Sequence, residues 1–181
     1  MTSATTPDQL ITFLRTLRQA RQFTNQPVPD DVLADILQVA RWTGSAGNEQ
    51  PWEFIVIRDR ETLRQLAEAY PSARHLAGAA VAVVIVMAGK WAPGEAYDEG
   101  RLAERIMLAA RAHGLGAGVG WFGADGVAEA AKAILGIPRE RFVRTAISLG
   151  YPAEPGARSR RPQPRKPLAE LVHVERYERR A

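Results

Sequence analysis

The chain has 181 residues, a net charge of +4, 46% hydrophobic and 24% charged residues, and no cysteine. That balance suits a soluble globular chain large enough to bury a core, and it excludes disulfides, thiolate nucleophiles and zinc–thiolate sites. The opening Met1–Pro7 lacks the basic and apolar regions of a secretion signal, and the longest apolar run, 77–88, is well short of the roughly 20 residues a membrane helix needs; a cytoplasmic protein away from membranes is expected.

In chain order, Pro7 and Asp8 open a helix over 7–18, with Leu10, Phe13, Leu14 and Leu17 at helical spacing. A second helix spans Pro29–Arg41, where Asp30 and Asp31 complement the dipole and Val32, Leu33, Ile36, Leu37 and Ala40 form the apolar stripe. Residues 43–48 break the pattern as a loop. Strands are predicted at Glu53–Arg58, Ala79–Met87 (buried on both faces), Leu115–Phe122, Phe142–Leu149 and, last and short, Leu171–Val174. Helices are predicted at Glu61–Ala69, Pro71–Leu76, Arg101–His113 and Val127–Leu135, with Gly114 capping the third. Trp91–Glu99 reads as a loop, and the adjacent Asp98 and Glu99 as surface residues. This order is not the regular alternation of a dinucleotide-binding sheet, and the glycines at 114, 116, 118 and 120 follow a helix and precede a strand, the wrong context for GxGxxG. The fold class is α+β.

Two stretches stand out chemically. Arg18, Gln19 and Arg21 lie where the first helix ends; the arginines either complement its dipole or grip a phosphate. Ser45, Asn48 and Gln50 crowd into a loop ahead of Trp52, offering the donors and acceptors that suit a heteroaromatic edge, or else simply a hydrogen-bonded turn. The basic stretch Arg158, Arg160, Arg161, Arg165 and Lys166 is a solvated tail or a phosphate binder; it lacks any nucleic-acid-binding motif. His75, His113 and His173 are not at metal-ligand spacing, so no metal is expected, and Ser45 lacks a nucleophile elbow.

These segments resemble the nitroreductase family, in which Arg-x-Ser-x-Arg/Lys-x-Phe is followed by Pro-Ser-x-x-Asn-x-Gln-Pro-Trp. Here Arg18, Gln19, Arg21 and Phe23 precede Ser45, Asn48, Gln50, Pro51 and Trp52. Leu108–Ala110 with Gly114–Gly116, then Leu149–Pro152, then Arg165–Leu168 resemble the family's long helix and closing segments. The likeness runs over about residues 9–177. Leu17, Gln19 and Gly44 stand where the family often carries Arg, Ser and Pro, and Glu104–Arg105 replaces a Gln–Asn pair.

The resemblance implies a nitroreductase-like fold: a central mixed, mainly antiparallel sheet flanked by helices, in one domain over 1–181. Residues 1–6 are expected to be flexible, and the basic extension 153–181 to reach the partner subunit of a homodimer. It implies FMN shared between subunits: Arg18, Gln19 and Arg21 at the phosphate and ribityl chain, Arg165 closing on the phosphate with Lys166, Ser45, Asn48 and Gln50 from the other subunit, and Trp121, Phe122 and Gly123 along the ring. The expected activity is NAD(P)H-dependent reduction of nitroaromatics, quinones or similar small acceptors by ping-pong turnover, with FMN rather than a side chain carrying the chemistry. The alternative is a flavoprotein of the same fold that dehalogenates, destroys flavin, oxidises azolines or only binds flavin. A lid over Gly89–Gly100, short beside that of the deiodinase-like branch, favours promiscuous acceptors.

Overall fold

The computed structural model describes residues 5–154 and 165–177. Its centre is a four-stranded sheet of β1 (Trp52–Ile57), β2 (Val81–Met87), β3 (Gly116–Trp121) and β4 (Phe142–Gly150), in the order β1-β2-β4-β3. Each of these strand pairs is antiparallel, so the mixed character expected is not present among the described residues. Helices cover both faces: α2 (Asp30–Arg41) and α4 (Ala92–Ala112) on one, α3 (Arg60–Ala69), a 3-10 segment (Pro71–Gly78) and α5 (Glu129–Leu135) on the other.

β2 explains the layering. All seven of its residues are buried, and the period-2 alternation of a strand divides them between two cores. Val81, Val83, Ile85 and Met87 meet Ile36, Leu102 and Ile106, while Ala82, Val84 and Val86 meet Leu63, Leu66 and Ala131.

The long helix corrects the sequence reading. Trp91–Glu99 is not a loop, and Gly89–Gly100 is not a lid: α4 begins at Ala92. Gly94 and Gly100 are poor helix formers, which hid the start, although Pro93 sits in the first turn, where proline is well tolerated. Burial of the helix against the sheet overrides the glycines. The Glu95 carboxylate accepts the backbone N–H groups of Gly89, Lys90 and Trp91 at 2.9, 2.8 and 3.2 Å, pinning the segment that leads into the helix. Glu95, Asp98 and Glu99 are buried rather than on the surface. At the far end the helix closes as expected, with Gly114 at φ +73° and Leu115 N–H donating back to Ala110 O at 2.9 Å.

α1 (Pro7–Arg15) is shorter than predicted and buries none of its residues. After it, residues 19–24 run out along the edge of β3 and the end of β4. Ala20 N–H donates to Ala117 O and Thr24 N–H to Tyr151 O, both at 2.8 Å, so the strap covers part of an edge that would otherwise be open. At Leu171–Val174, where the sequence predicts a final strand, the described residues hold a single β-bridge position, His173, rather than a strand; Leu168–Glu170 is a 3-10 turn, with Leu168 and Leu171 exposed. Residues 155–164, with Arg158, Arg160 and Arg161, lie outside the described residues.

Candidate functional site

The first group of polar residues rides on the strap. Gln19 Oε1 accepts from Val119 N–H and from Arg21 Nη2, both at 3.2 Å. It thus ties the strap to β3 and steadies Arg21 at once. Arg18 Nη1 donates to the carbonyls of Arg15 (3.2 Å) and Leu17 (2.6 Å), so this guanidinium also closes the end of α1. The strap can lie this close because β3 carries glycine: a Cβ on Gly118 would sit 2.5 Å from Ala20 O and 3.0 Å from Ser148 Oγ.

The second group is the loop between α2 and β1. Gly47, Asn48 and Gln50 have φ of +58°, +56° and +50°, a conformation uncommon for residues with side chains and often held at functional sites. Ser45 Oγ accepts from Gln50 N–H at 2.9 Å, and Gln50 Nε2 donates to Asn48 O at 3.2 Å. The loop therefore fixes its own shape, while Asn48 and Gln50 stay exposed. An open groove of about 350 Å3 beside it is lined by Gln50, Trp52, Lys90 and Arg141, among others.

The third group follows β3. Trp121 is 43% exposed, and its carbonyl accepts from Ser72 Oγ. Phe122, expected beside the ring, turns its side chain into the core, where it is 5% exposed and its ring meets that of Tyr70 at 4.6 Å, tilted by 43°. Gly123 has φ +126°. Over Trp121–Gly123 the indole is the one exposed side chain, and Ala124 and Asp125 after it are exposed as well.

Sequence reasoning missed the charges behind that turn. Glu99 on α4 and Arg144 on β4 form an ion pair at 3.1 Å, each side chain 3% exposed. Burial pushes the Glu99 carboxyl above its ordinary range, against the Thr145 hydroxyl and the Arg144 guanidinium, which hold it down. The available signal was an arginine amid the apolar run of β4.

The groups do not converge within one chain. The Ser45–Gln50 loop enters β1, and the Arg18–Arg21 strap flanks β3, at opposite edges of the sheet. Three strand spacings, roughly 14 Å, separate those edges, with β2 and β4 between. Arg165 and Lys166 are exposed. Among the described residues, no carboxylate pairs with Arg18, Arg21, Arg165 or Lys166.

This donor set fits FMN: guanidinium and ammonium groups with no carboxylate partner among the described residues for a phosphate, an exposed amide loop for a heteroaromatic edge, and an exposed indole at the start of a glycine-containing turn. Among the described residues no His/Asp/Glu cluster suits a metal ion, and no helix is long and apolar enough to cross a membrane.

The family model described as Nitroreductase family matches residues 14–73. A protein of Archaeoglobus fulgidus, provisionally named NADH dehydrogenase/NAD(P)H nitroreductase, is 36% identical over 154 residues, spanning 81% of this chain and 87% of its own. The NADH dehydrogenase of Thermus thermophilus is 30% identical over 195 residues, covering 86% and 90%. Among solved structures, an FMN-dependent nitroreductase from Clostridium difficile superposes with a TM-score of 0.77 at 24% identity, over 92% of this chain and 99% of its own; at that identity the likeness is one of fold.

Proposed function

Because the chain belongs to the nitroreductase family, we propose that it is a cytoplasmic, homodimeric FMN-dependent oxidoreductase that draws electrons from NADH or NADPH and reduces nitroaromatics, quinones or similar small acceptors. The observation that carries this reading is the division of the donor set between opposite sheet edges, which two copies could bring together across one interface. The uncovered apolar side of α1 supports a second copy: Leu10, Ile11 and Leu14 are each about half exposed.

In such a dimer, Arg18, Gln19 and Arg21 hold the phosphate and ribityl chain, and Arg165 with Lys166 closes on the phosphate from the 153–181 extension. Ser45, Asn48 and Gln50 of the second copy line the polar edge of the ring, and the Trp121–Gly123 segment lies along it, Phe122 through its backbone. FMN bound there supplies the hydride and electron chemistry. The chain's own share is positional. Cationic groups and backbone N–H groups near the polar edge of the ring would stabilise negative charge there, and no side chain has to act as nucleophile. Donor and acceptor take turns at one open face, which gives ping-pong turnover. Only residues 88–91 intervene between β2 and α4, too little for the long lid of the deiodinase-like branch, and this favours small, varied acceptors.

The absorption spectrum of the purified protein, with and without added FMN, tests the reading, followed by oxidation of NADH and NADPH in the presence of a quinone or a nitroaromatic. A yellow protein that turns over is the expected result; a colourless one that binds no added FMN overturns it. Bound FMN that saturating NADH and NADPH reduce only slowly moves the assignment to the dehalogenating, flavin-destroying, azoline-oxidising or flavin-binding members of the fold.

A further inference from the structure

Resting on that reading and deepening it, we propose that the buried Glu99–Arg144 pair is a positioning unit, which fixes the Phe122–Gly126 turn and with it the backbone that Trp121–Gly123 presents to the cofactor ring.

Arg144 owes its direction to a bulge. Ile85 pairs with Thr145 and Val86 with Val143, so Arg144 is the extra residue between them; bulges of this kind re-aim a side chain. The guanidinium then binds in two directions, Nη1 to Glu99 Oε2 at 3.1 Å and Nε to Ala124 O at 3.2 Å. The main chain on either side is pinned as well. Phe122 N–H donates to Arg144 O at 2.7 Å and Val143 N–H to Gly126 O at 3.0 Å. Gly126 leaves room for the guanidinium, since a Cβ there would lie 3.1 Å from Arg144 Cζ and Nη2.

Stability alone does not account for these charges. A buried ion pair is often no better than apolar residues of the same volume, and the rest of the β4 core is largely apolar. Glu99 Oε1 is buried without a well-formed hydrogen bond, only the Thr145 hydroxyl lying near the carboxylate besides Arg144, a thin set of partners if the pair served only to strengthen the core. What the pair does reach is the turn that follows the exposed Trp121. Fixing a backbone before a ligand arrives lowers the ordering that binding must impose.

The test uses the full chain carrying Glu99→Gln or Arg144→Met, each first checked for wild-type circular dichroism. Hydrogen exchange of the 122–126 amides is read in cofactor-free protein; FMN affinity and the absorption bands of bound FMN are read in the loaded protein. The expected result is exchange faster by about tenfold, FMN binding weaker by about tenfold and displaced absorption bands. Ile36→Val, a truncation in the core under α2, serves as a generally destabilised control and is expected to change none of these. If Arg144→Met does not fold, Arg144→Lys replaces it, keeping a cation beside Glu99 without the Nε donor to Ala124. A wild type that binds FMN, with variants matching it in exchange, affinity and spectrum, overturns the positioning role and leaves the proposed function standing. A wild type that binds no FMN removes both.

Discussion

At the scale of single residues, the strap decides how phosphate could be held without the first arginine and the serine usual in the family. Gln19 spends its side-chain carbonyl on Val119 N–H and Arg21, so it organises Arg21 more than it replaces a hydroxyl. Arg21→Ala is expected to weaken FMN binding by about tenfold or more, the worth of one charge-assisted hydrogen bond, and Arg21→Lys by less; fluorescence quenching of FMN measures both. His75 provides a pH test. Burial holds its imidazole below the ordinary value of 6.5, with the Arg21 charge adding and the Gly118 carbonyl opposing, and its Nε2 has no partner. Below about pH 6.5 the unfolded chain takes up a proton that the folded one still refuses, so stability rises with pH across that window and falls on acidification. Denaturant melts between about pH 7.5 and 5.5 are expected to show this loss in the wild type and less of it in His75→Gln; equal slopes would contradict it.

At the scale of elements, close approach and capping matter most. Gly118→Ala would drive a methyl group into Ala20 O at 2.5 Å, so the strap must lift from β3. A loss of about 1–3 kcal/mol, as for overpacking, is expected in melts, together with weaker FMN binding because Arg21 moves with the strap. Gly78→Ala, where a Cβ would meet nothing within 4 Å, serves as the tolerated comparison. Glu95→Ala would strip three N–H groups of their acceptor. Leaving such donors unsatisfied costs about 1–3 kcal/mol each where they are buried, and faster hydrogen exchange at residues 89–95 is expected to report an unwound first turn.

At the scale of the whole molecule, several large apolar side chains are exposed among the described residues. α1 buries nothing within its own chain, and Trp42, Trp91 and Tyr97 are more than 60% exposed. Such patches mark association surfaces. If the proposed dimer forms through α1, Leu10→Asp combined with Leu14→Asp is expected to give a monomer by light scattering, to remove the concentration dependence of the melting temperature and to lose FMN, because each proposed half-site would then lack its complement. A variant that remains dimeric would remove α1 from the interface.

Much of the architecture was written in local chemistry. The alternation of 79–87 marked a strand buried on both sides, the Asp30–Asp31 start and apolar stripe marked α2, and Gly114 marked the end of α4, because periodicity and caps act within a few residues. Order and spacing likewise singled out Arg18, Gln19, Arg21 and the Ser45–Gln50 loop as candidates. Tertiary structure decided the rest. Whether Gly94 and Gly100 could lie in a helix depended on packing against the sheet, which buries Leu102, Ile106 and their neighbours. Phe122 went inward because Tyr70 was there to meet it, and Arg144 found Glu99 only through a bulge in pairing with β2. Strand order, which sets the two halves of the candidate site at opposite edges, is a matter of long-range pairing, and no local pattern encodes it.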